Sequence, residues 1–89
     1  MTRQGNLIGK QLSKLRNERG LSQLELSAIC QRVGWDVSRE VIARIEGGVR
    51  GISDRELAVL ATALSTQVEK ILTPAVIREW IKSIKAAPR

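Results

Sequence analysis

Helix-capping signals, repeated along the chain, constrain its fold more than any other feature of the sequence. Residues 22–25, 53–56 and 66–69 each begin with Ser or Thr and end three positions later with Glu. This is the spacing of a capping box, in which the hydroxyl and the carboxylate each accept a hydrogen bond from a backbone N–H that has no partner in the first turn. Each box therefore predicts the start of a helix.

Glycine, proline and the spacing of apolar residues complete the division into helices. Gly20, Gly34 and the pair 47–48 stand where three helices are expected to end, because glycine readily adopts the left-handed backbone just beyond a helix. Thr73 followed by Pro74 predicts the start of the last helix, where the missing N–H of proline costs nothing. No segment alternates between apolar and polar residues as a strand does. We therefore predict an all-α protein with six helices.

The apolar residues that recur at helical spacing predict an aliphatic core. The chain has two Trp and no Phe or Tyr, so Leu, Ile, Val and Ala must fill the interior. The same composition disfavours a protein that stacks unpaired bases on aromatic rings. The residues expected to face inward are Ile8, Leu12, Leu15, Leu26, Ile29, Val41, Ile42, Ile45, Leu57, Leu60, Ala61, Leu64, Val68, Ile71 and Leu72, with Cys30 or Val33 beside them.

Length and composition disfavour several classes of protein. The 89 residues suffice for one small domain, and 15 Lys and Arg against 9 Asp and Glu give a net charge of +6, which favours a polyanionic partner. One cysteine and no histidine argue against a disulfide framework, a metal site and acid–base catalysis, so we expect no enzyme activity and no cofactor. The polar N-terminus and the short apolar runs predict a cytoplasmic protein that does not bind membranes.

Several motifs, in a fixed order, resemble one known family. Leu21–Ser27 is followed by Ile42–Gly48, with the pattern Ile-x-x-Ile-Glu-x-Gly, and then by two leucine-containing motifs within Asp54–Leu64. Together they are similar to the helix-turn-helix DNA-binding domain of the phage repressor and Cro proteins, often called XRE-like, from about Ile8 to Leu72. The resemblance implies a compact five-helix, repressor-like helix-turn-helix domain over residues 1–72.

Residues 73–89 extend beyond that resemblance as a C-terminal amphipathic helix. Its apolar stripe consists of Ile77, Trp80, Ile81 and Ile84. The stripe either pairs with a second copy, together with the short fifth helix, or packs within the monomer. Because this class of protein reads two half-sites about one DNA turn apart, roughly 34 Å, we expect a homodimer on a pseudo-palindromic operator.

Two positions depart from the family pattern. Between Leu26 and Ile42 the chain is about five residues longer than in the commonest relatives, whose turn has only three or four residues. Residues 30–37 must absorb the difference through a longer second helix, a wider turn, or both. At Ser65 relatives often have glycine, so the sequence leaves the geometry of the turn after the fourth helix open but not the fold.

The outward side of the third helix holds the expected DNA contacts. Ser38, Arg39, Glu40, Ala43 and Arg44 lie opposite its aliphatic face. Arginine can bind guanine through O6 and N7, and a carboxylate can accept a hydrogen bond from cytosine N4. The resemblance places positions 39, 40 and 44 where the family reads bases. The alternative is a solvated ion-pair surface with no ligand.

Four residues outside this helix have roles implied by the resemblance. Gln23, at the start of the second helix, grips a phosphate and can brace the third helix, or is only a polar first-turn residue. Arg50 touches the sugar–phosphate backbone from the following loop, although that loop is variable. Arg16 and Glu46 form a buried ion pair between the first and third helices, the alternative being an exposed pair.

Two residues of the longer segment have competing interpretations. Trp35 either packs on the core, as a lone aromatic usually does, or wedges against DNA. Cys30 behaves as a small apolar residue or, less in keeping with its surroundings, as a redox switch.

These observations predict a sequence-specific, double-stranded DNA-binding transcriptional regulator of repressor type that reads the major groove with residues 38–46. A protein-interaction module or antitoxin-type partner protein that retains the fold is the alternative, and the acidic Glu40 and neutral Ala43 favour it slightly. The two differ in salt dependence, because contacts with phosphates make affinity fall steeply as salt rises.

Overall fold

The computed structural model describes residues 5–86, and the side chains of residues 5–84. Six α-helices and no strand make up this part of the chain, which confirms the all-α expectation. Residues 1–4, at the start of the domain predicted over residues 1–72, lie outside the described residues. So do residues 87–89, at the end of the C-terminal segment predicted over residues 73–89. The helices are α1 (Gly9–Glu18), α2 (Gln23–Val33), α3 (Arg39–Glu46), α4 (Asp54–Ala63), α5 (Val68–Ile71) and α6 (Pro74–Ala86).

Two of the predicted capping boxes are confirmed. At the start of α2 the Glu25 N–H donates to Ser22 Oγ at 3.0 Å, and the Ser22 N–H donates to Glu25 Oε1 at 2.8 Å. Ser53 and Glu56 repeat the arrangement at the start of α4, at 3.1 and 3.0 Å. Both helices therefore begin where the sequence indicates.

The box predicted at residues 66–69 is wrong. The capping position of α5 is Gln67, and no side chain caps this helix. Thr66 instead completes the end of α4, where its N–H donates to Ala61 O at 2.9 Å and the Ser65 N–H donates to Thr62 O at 3.0 Å. This pair of bonds closes a helix in the Schellman arrangement, so Thr66 belongs to the turn that ends α4 and lies one residue before the capping position of α5.

Ser65 occupies the position of that turn where glycine is usual. Its φ of 52° lies in the left-handed region, which costs an L-residue about 1–2 kcal/mol. The turn therefore keeps the geometry of a glycine turn, and Ser65 bears the strain. Thr73 acts as predicted, since its Oγ1 accepts a hydrogen bond from the Val76 N–H at 3.1 Å where α6 begins.

The longer segment after Leu26 is absorbed by both a long α2 and a wide turn. α2 runs for 11 residues and ends at Gly34, whose φ of 122° requires a residue without Cβ. The turn then bends back, with the Trp35 N–H donating to Cys30 O at 3.0 Å. Val37 is 2% exposed and anchors the turn in the core, and the Gln31 side chain donates to its carbonyl at 2.9 Å.

The core lies between the first five helices and is aliphatic, as expected. α2 packs against α3 and α4, and α1 packs against α3 and α5. The buried apolar residues are Ile8, Leu12, Leu15, Leu26, Cys30, Val37, Ile42, Ile45, Leu60, Ala61, Ala63, Leu64 and Ile71. Trp35 is half-buried against this cluster, which agrees with core packing. The remaining residues expected to face inward, Ile29, Val41, Leu57, Val68 and Leu72, are partly buried against the same cluster.

Cys30 rather than Val33 completes the inner face of α2. Cys30 is fully buried, while Val33 is 42% exposed. Burial raises the pKa of the Cys30 thiol to about 11, so the thiolate that would react with oxidants is scarce at neutral pH. These properties agree with a small apolar residue and argue against a redox switch.

The sixth helix extends away from the other five. Every described side chain from Ile77 to Ile84 is exposed, including the four residues of the apolar stripe. The chain measures 43 Å along its longest axis and 22 Å along the other two. The stripe is therefore not covered by the chain's own core. Within residues 5–86, every helix is too short or too polar to cross a lipid bilayer.

Candidate nucleic-acid interface

α3 has one buried face and one exposed face. Ile42 and Ile45 are fully buried in the core, and Val41 is half-buried beside them. On the other side Arg39, Glu40 and Arg44 are exposed, and Ala43 is half-buried. The outward face of α3 therefore presents two cations and one anion to solvent on a firmly packed helix, with Arg39 and Glu40 in its first turn and Arg44 in its last.

Ser38 fixes the start of that helix. Its Oγ accepts a hydrogen bond from the Val41 N–H at 3.3 Å, and its own side chain is exposed. Substitution of the cap would loosen the first turn, which holds Arg39 and Glu40. Ser38 thus lies within the candidate interface and also caps α3.

Arg39 and Glu40 form a loose pair at the surface. Their side chains, 51% and 65% exposed, approach to 3.4 Å between Nη2 and Oε1. An exposed pair of this kind contributes little to stability, so both groups are available to a ligand. The pKa of Glu40 is lowered, first by a hydrogen bond from its own backbone N–H and then by Ser38 and Arg39. Glu40 is therefore a carboxylate at neutral pH and acts as an acceptor.

Arg44 lies on the same side of α3, one turn after Glu40. Among the described residues its guanidinium makes no hydrogen bond and no ion pair. Its five N–H donors are consequently free to bind an acceptor from outside the chain.

The C-terminal end of α3 is fixed by a buried ion pair. Arg16 donates to Glu46 through Nε at 2.6 Å and through Nη2 at 3.0 Å, and the two side chains are only 12% and 7% exposed. Arg16 Nη1 also donates to Leu21 O at 2.7 Å. The buried pair implied by the resemblance is confirmed, and it joins α1, α3 and the start of α2.

Gln23 completes this cluster. It is the first residue of α2, and its Nε2 donates to Glu46 Oε1 at 3.0 Å. The bracing of α3 by Gln23 is thereby confirmed. Its Oε1 and the second N–H of its amide make no bond among the described residues, and Gln23 itself belongs to the first turn of α2, where backbone N–H groups have no partner within the helix.

Arg50 is engaged more fully than the sequence indicates. Its Nη1 and Nη2 donate to the two carboxylate oxygens of Glu56 at 3.0 and 3.1 Å, and Nη1 also donates to Gly51 O at 2.9 Å. The guanidinium carbon lies 6.0 Å from the centre of the Trp35 ring. The Arg50 hydrogen bond lowers the pKa of Glu56, so the pair stays ionised at neutral pH. Arg50 therefore links the loop after α3 with α4 and with the longer segment.

Asn6 is a structural residue that sequence reasoning missed. Its Oδ1 accepts hydrogen bonds from the Ile8 and Gly9 N–H groups at 2.9 and 2.8 Å, and so it caps α1. Its Nδ2 donates to Ile45 O at 3.0 Å and to Arg50 O at 2.8 Å. This one buried side chain thus joins the start of α1 to the C-terminal part of α3 and to the loop that follows α3. An asparagine just before an apolar run could have been read as a cap, but its distant partners could not.

Gly9 allows α1 to approach α3 closely. A Cβ added at this position would lie 2.6 Å from Ile45 O and 2.7 Å from Glu46 O. Both atoms belong to the backbone and cannot move aside cheaply. The residue is therefore required by the contact between helices.

The fold and the exposed face of α3 together define a helical domain with a helix-turn-helix. Comparison with protein families agrees, since the helix-turn-helix family model matches residues 12–71. The chain belongs to this family, which confirms the resemblance to the XRE-like proteins, and membership supports a DNA-binding regulator of transcription.

Solved structures agree with this assignment. The chain is 29% identical to the restriction-modification controller protein C.AhdI from Aeromonas hydrophila, over 73% of this chain and 91% of that one, with a TM-score of 0.65. A hypothetical transcription factor from Neisseria, NHTF, is 21% identical over 84% of this chain and 80% of its own, with a TM-score of 0.68. A variant of the controller protein C.Esp1396I is 20% identical over 92% and 91%, with a TM-score of 0.60. These last two likenesses concern the fold alone. No curated protein matches the chain in sequence.

Proposed function

We propose that this protein is a sequence-specific regulator of transcription that represses its target by binding double-stranded DNA, with α3 in the major groove. The observation that carries the proposal is the outward face of α3, where Arg39, Glu40 and Arg44 are exposed on a helix held rigidly from behind by the core and by the Arg16–Glu46 pair. A recognition helix needs a fixed inner face and free side chains toward the bases; Arg39 and Glu40 provide them in the first turn of α3, and Arg44 provides one a turn later.

Each side chain of that face has a matching chemistry on the bases. Arg39 and Arg44 can each donate two hydrogen bonds to guanine O6 and N7, and the Glu40 carboxylate can accept one from cytosine N4. The Ser38 hydroxyl can donate or accept, and the Ala43 methyl group can contact the thymine methyl. We assign base reading to Arg39, Glu40 and Arg44, with Ser38 and Ala43 beside them.

Contacts with the phosphate backbone would position this helix. Gln23 keeps one amide N–H free next to the N-terminus of α2, where backbone N–H groups and the helix dipole favour an anion. Arg50 has its Nε–H and one Nη2–H outside its bonds to Glu56 and Gly51, so it can donate to a phosphate without leaving the pair. Both residues are included in the proposed interface.

One α3 buries too little surface for tight and selective binding, so we propose that two copies bind a pseudo-palindromic operator as a homodimer. The likeness to C.AhdI favours a regulator of the restriction-modification controller type within this class. Binding to chromosomal or phage DNA would place the protein in the cytoplasm of a bacterial cell.

Arg44→Ala is the variant that tests base reading. On a duplex that the wild-type protein selects from random DNA, it is expected to lower affinity by about 1–3 kcal/mol, roughly 5- to 150-fold, and to relax the preference at one base pair. The measurement is a titration of labelled duplexes that carry each base in turn, at one salt concentration. Lys14→Ala is the matched control, because it removes the same charge from an exposed position on α1 and should leave the base preference unchanged.

Two results would contradict the proposal. Equal affinity and equal base preference in the Arg44→Ala protein would remove Arg44 from the interface. A folded wild-type protein that binds no duplex even at low salt would instead support the protein-interaction module.

A further inference from the structure

The side chain of Arg50 is held by several neighbours, of which Glu56 is only one. Its Nη1 and Nη2 donate to the Glu56 carboxylate at 3.0 and 3.1 Å, and Nη1 also donates to Gly51 O at 2.9 Å. The centre of the Trp35 ring lies 6.0 Å from the guanidinium carbon, close enough for an aromatic face to attract a cation. The Asn6 amide donates to Arg50 O at 2.8 Å and so fixes the backbone. Arg50 would therefore stay near this position without Glu56.

Glu56 is the one neighbour in this group that carries a charge. Its two oxygens face one guanidinium, and the side chains of Arg50 and Glu56 are 34% and 20% exposed, so water screens the pair only in part. The hydrogen bond from Arg50 lowers the pKa of Glu56, which keeps the carboxylate ionised at neutral pH. A phosphate that approaches Arg50 thus meets a cation whose charge is already balanced.

We infer that Glu56 limits the affinity of this protein for DNA by balancing the charge of Arg50. Sequence-independent affinity comes mainly from cations that neutralise phosphates and release the counterions bound to them. The Nε–H of Arg50 can still donate a hydrogen bond to a phosphate, but the pair as a whole adds no net charge. Glu56 therefore weakens binding to every duplex, whatever its sequence. The inference rests on the proposed function for the contact between Arg50 and the DNA backbone.

The opposite role for Glu56 would be to orient Arg50 for the phosphate. Removal of Glu56 would then lower the affinity, because a freed arginine side chain must lose its rotational freedom on binding. The contacts with Gly51 and Trp35 already restrict the guanidinium, and neither of them neutralises it. Orientation by Glu56 is therefore redundant, and the loss of attraction to the phosphate dominates. The two roles predict changes of affinity with opposite sign.

Glu56→Gln separates the two roles because it removes the charge and keeps the cap of α4. The amide oxygen can accept the Ser53 N–H, which the Glu56 carboxylate accepts at 3.0 Å, and glutamine also serves in capping boxes. The amide NH₂ group can only donate, so the guanidinium of Arg50 loses one acceptor and gains a free N–H for a phosphate.

The Glu56→Gln protein is expected to bind DNA more tightly than the wild type. On a duplex that the wild-type protein selects, affinity should rise about 8-fold at 0.1 M salt for each bound copy. The slope of log affinity against log salt should steepen by about 0.9 per copy, the value of one phosphate contact. Titration of the labelled duplex at several salt concentrations measures both quantities, with circular dichroism to show that each variant is folded.

Glu18→Gln is the matched control, since it removes the same charge from an exposed position at the end of α1. The neighbouring Arg19 donates to Leu64 O at 2.9 Å, which places that end of α1 beside the C-terminal end of α4, away from Glu56 in its first turn. This substitution should change affinity less than about twofold, because charges more than about 10 Å apart are largely screened at 0.1 M salt. Glu56→Gln should also raise affinity for random duplex by the same factor, because phosphates carry no sequence information.

Several results would overturn the inference. They are an affinity that Glu56→Gln leaves unchanged or lowers, and an equal rise in the Glu18→Gln protein. Arg50→Ala gives a test that does not depend on the folding of Glu56→Gln. It should lower affinity for selected and random duplexes alike and make the salt slope shallower, and an unchanged affinity would show that no phosphate reaches this pair. A wild-type protein that binds no duplex contradicts the proposed function and the inference with it, whereas selective binding with no response to Glu56→Gln contradicts the inference alone.

Discussion

Glu46→Gln is expected to lower the free energy of unfolding by about 3–5 kcal/mol, because it leaves the Arg16 guanidinium buried without its counter-charge. The expected fall in melting temperature is at least roughly 12 °C for a domain of this size. Both side chains are largely buried, at 12% and 7% exposure, so water can replace the lost partner only in part. Thermal and urea unfolding followed by circular dichroism measure the effect.

Glu25→Gln is the matched control for this substitution. Glu25 is exposed and belongs to a capping box, in which glutamine also serves. The loss of the Glu25 charge should change the free energy of unfolding by less than about 0.5 kcal/mol. The Glu46→Gln protein should also keep the base preference of the wild type, when DNA binding is measured at a temperature where the variant is folded. Stability equal to that of the wild type would mean that the pair contributes nothing to holding α3.

Asn6→Ala is expected to destabilise the protein by about 3 kcal/mol, because it removes a helix cap and leaves several buried backbone groups unpaired. The Ile8 and Gly9 N–H groups lose their acceptor and the Arg50 carbonyl loses its donor, while the Ile45 carbonyl keeps only its bond from the Gly48 N–H at 3.0 Å. Asn6→Asp should recover only part of the loss, since a carboxylate restores the cap but places charge against two carbonyl oxygens. Urea unfolding of the two variants measures the difference.

Asn17→Ala provides the comparison for Asn6. Asn17 is exposed on α1, and its side chain makes one long contact of 3.4 Å with Arg16. Its substitution should leave stability within about 0.5 kcal/mol of the wild type. Equal effects at positions 6 and 17 would show that the four bonds of Asn6 are not needed to hold α1 against α3.

The features that depend on residues close together in the sequence were predicted correctly. The boxes at Ser22 and Ser53, the end of α2 at Gly34 and the start of α6 at Pro74 all follow from groups within three or four positions of one another. The same reasoning failed at Thr66, because a residue in the turn between two helices can serve either of them. The positive φ of Ser65 and the hydrogen bonds that close α4 assign Thr66 to the turn after α4, and neither can be predicted from the sequence.

The contacts that hold the candidate site come from distant parts of the chain. The Arg16–Glu46 pair could be predicted only from the family resemblance, because 30 positions separate its members. Asn6 and its partners are 39 and 44 positions apart, and no local pattern connects them. Arg50 was expected as a phosphate contact, but its pairing with Glu56 depends on how the loop after α3 folds against α4.

Selection of bound fragments from random duplex DNA, with the full wild-type chain at a stated salt concentration, tests most directly whether α3 of a paired protein reads the major groove. We expect enrichment of an inverted repeat with G·C pairs at the positions read by Arg39, Glu40 and Arg44, with half-site centres roughly 10 base pairs or a multiple apart. A folded protein that enriches no sequence, or that enriches the same sequence after Arg39 and Arg44 are both replaced by alanine, would contradict it.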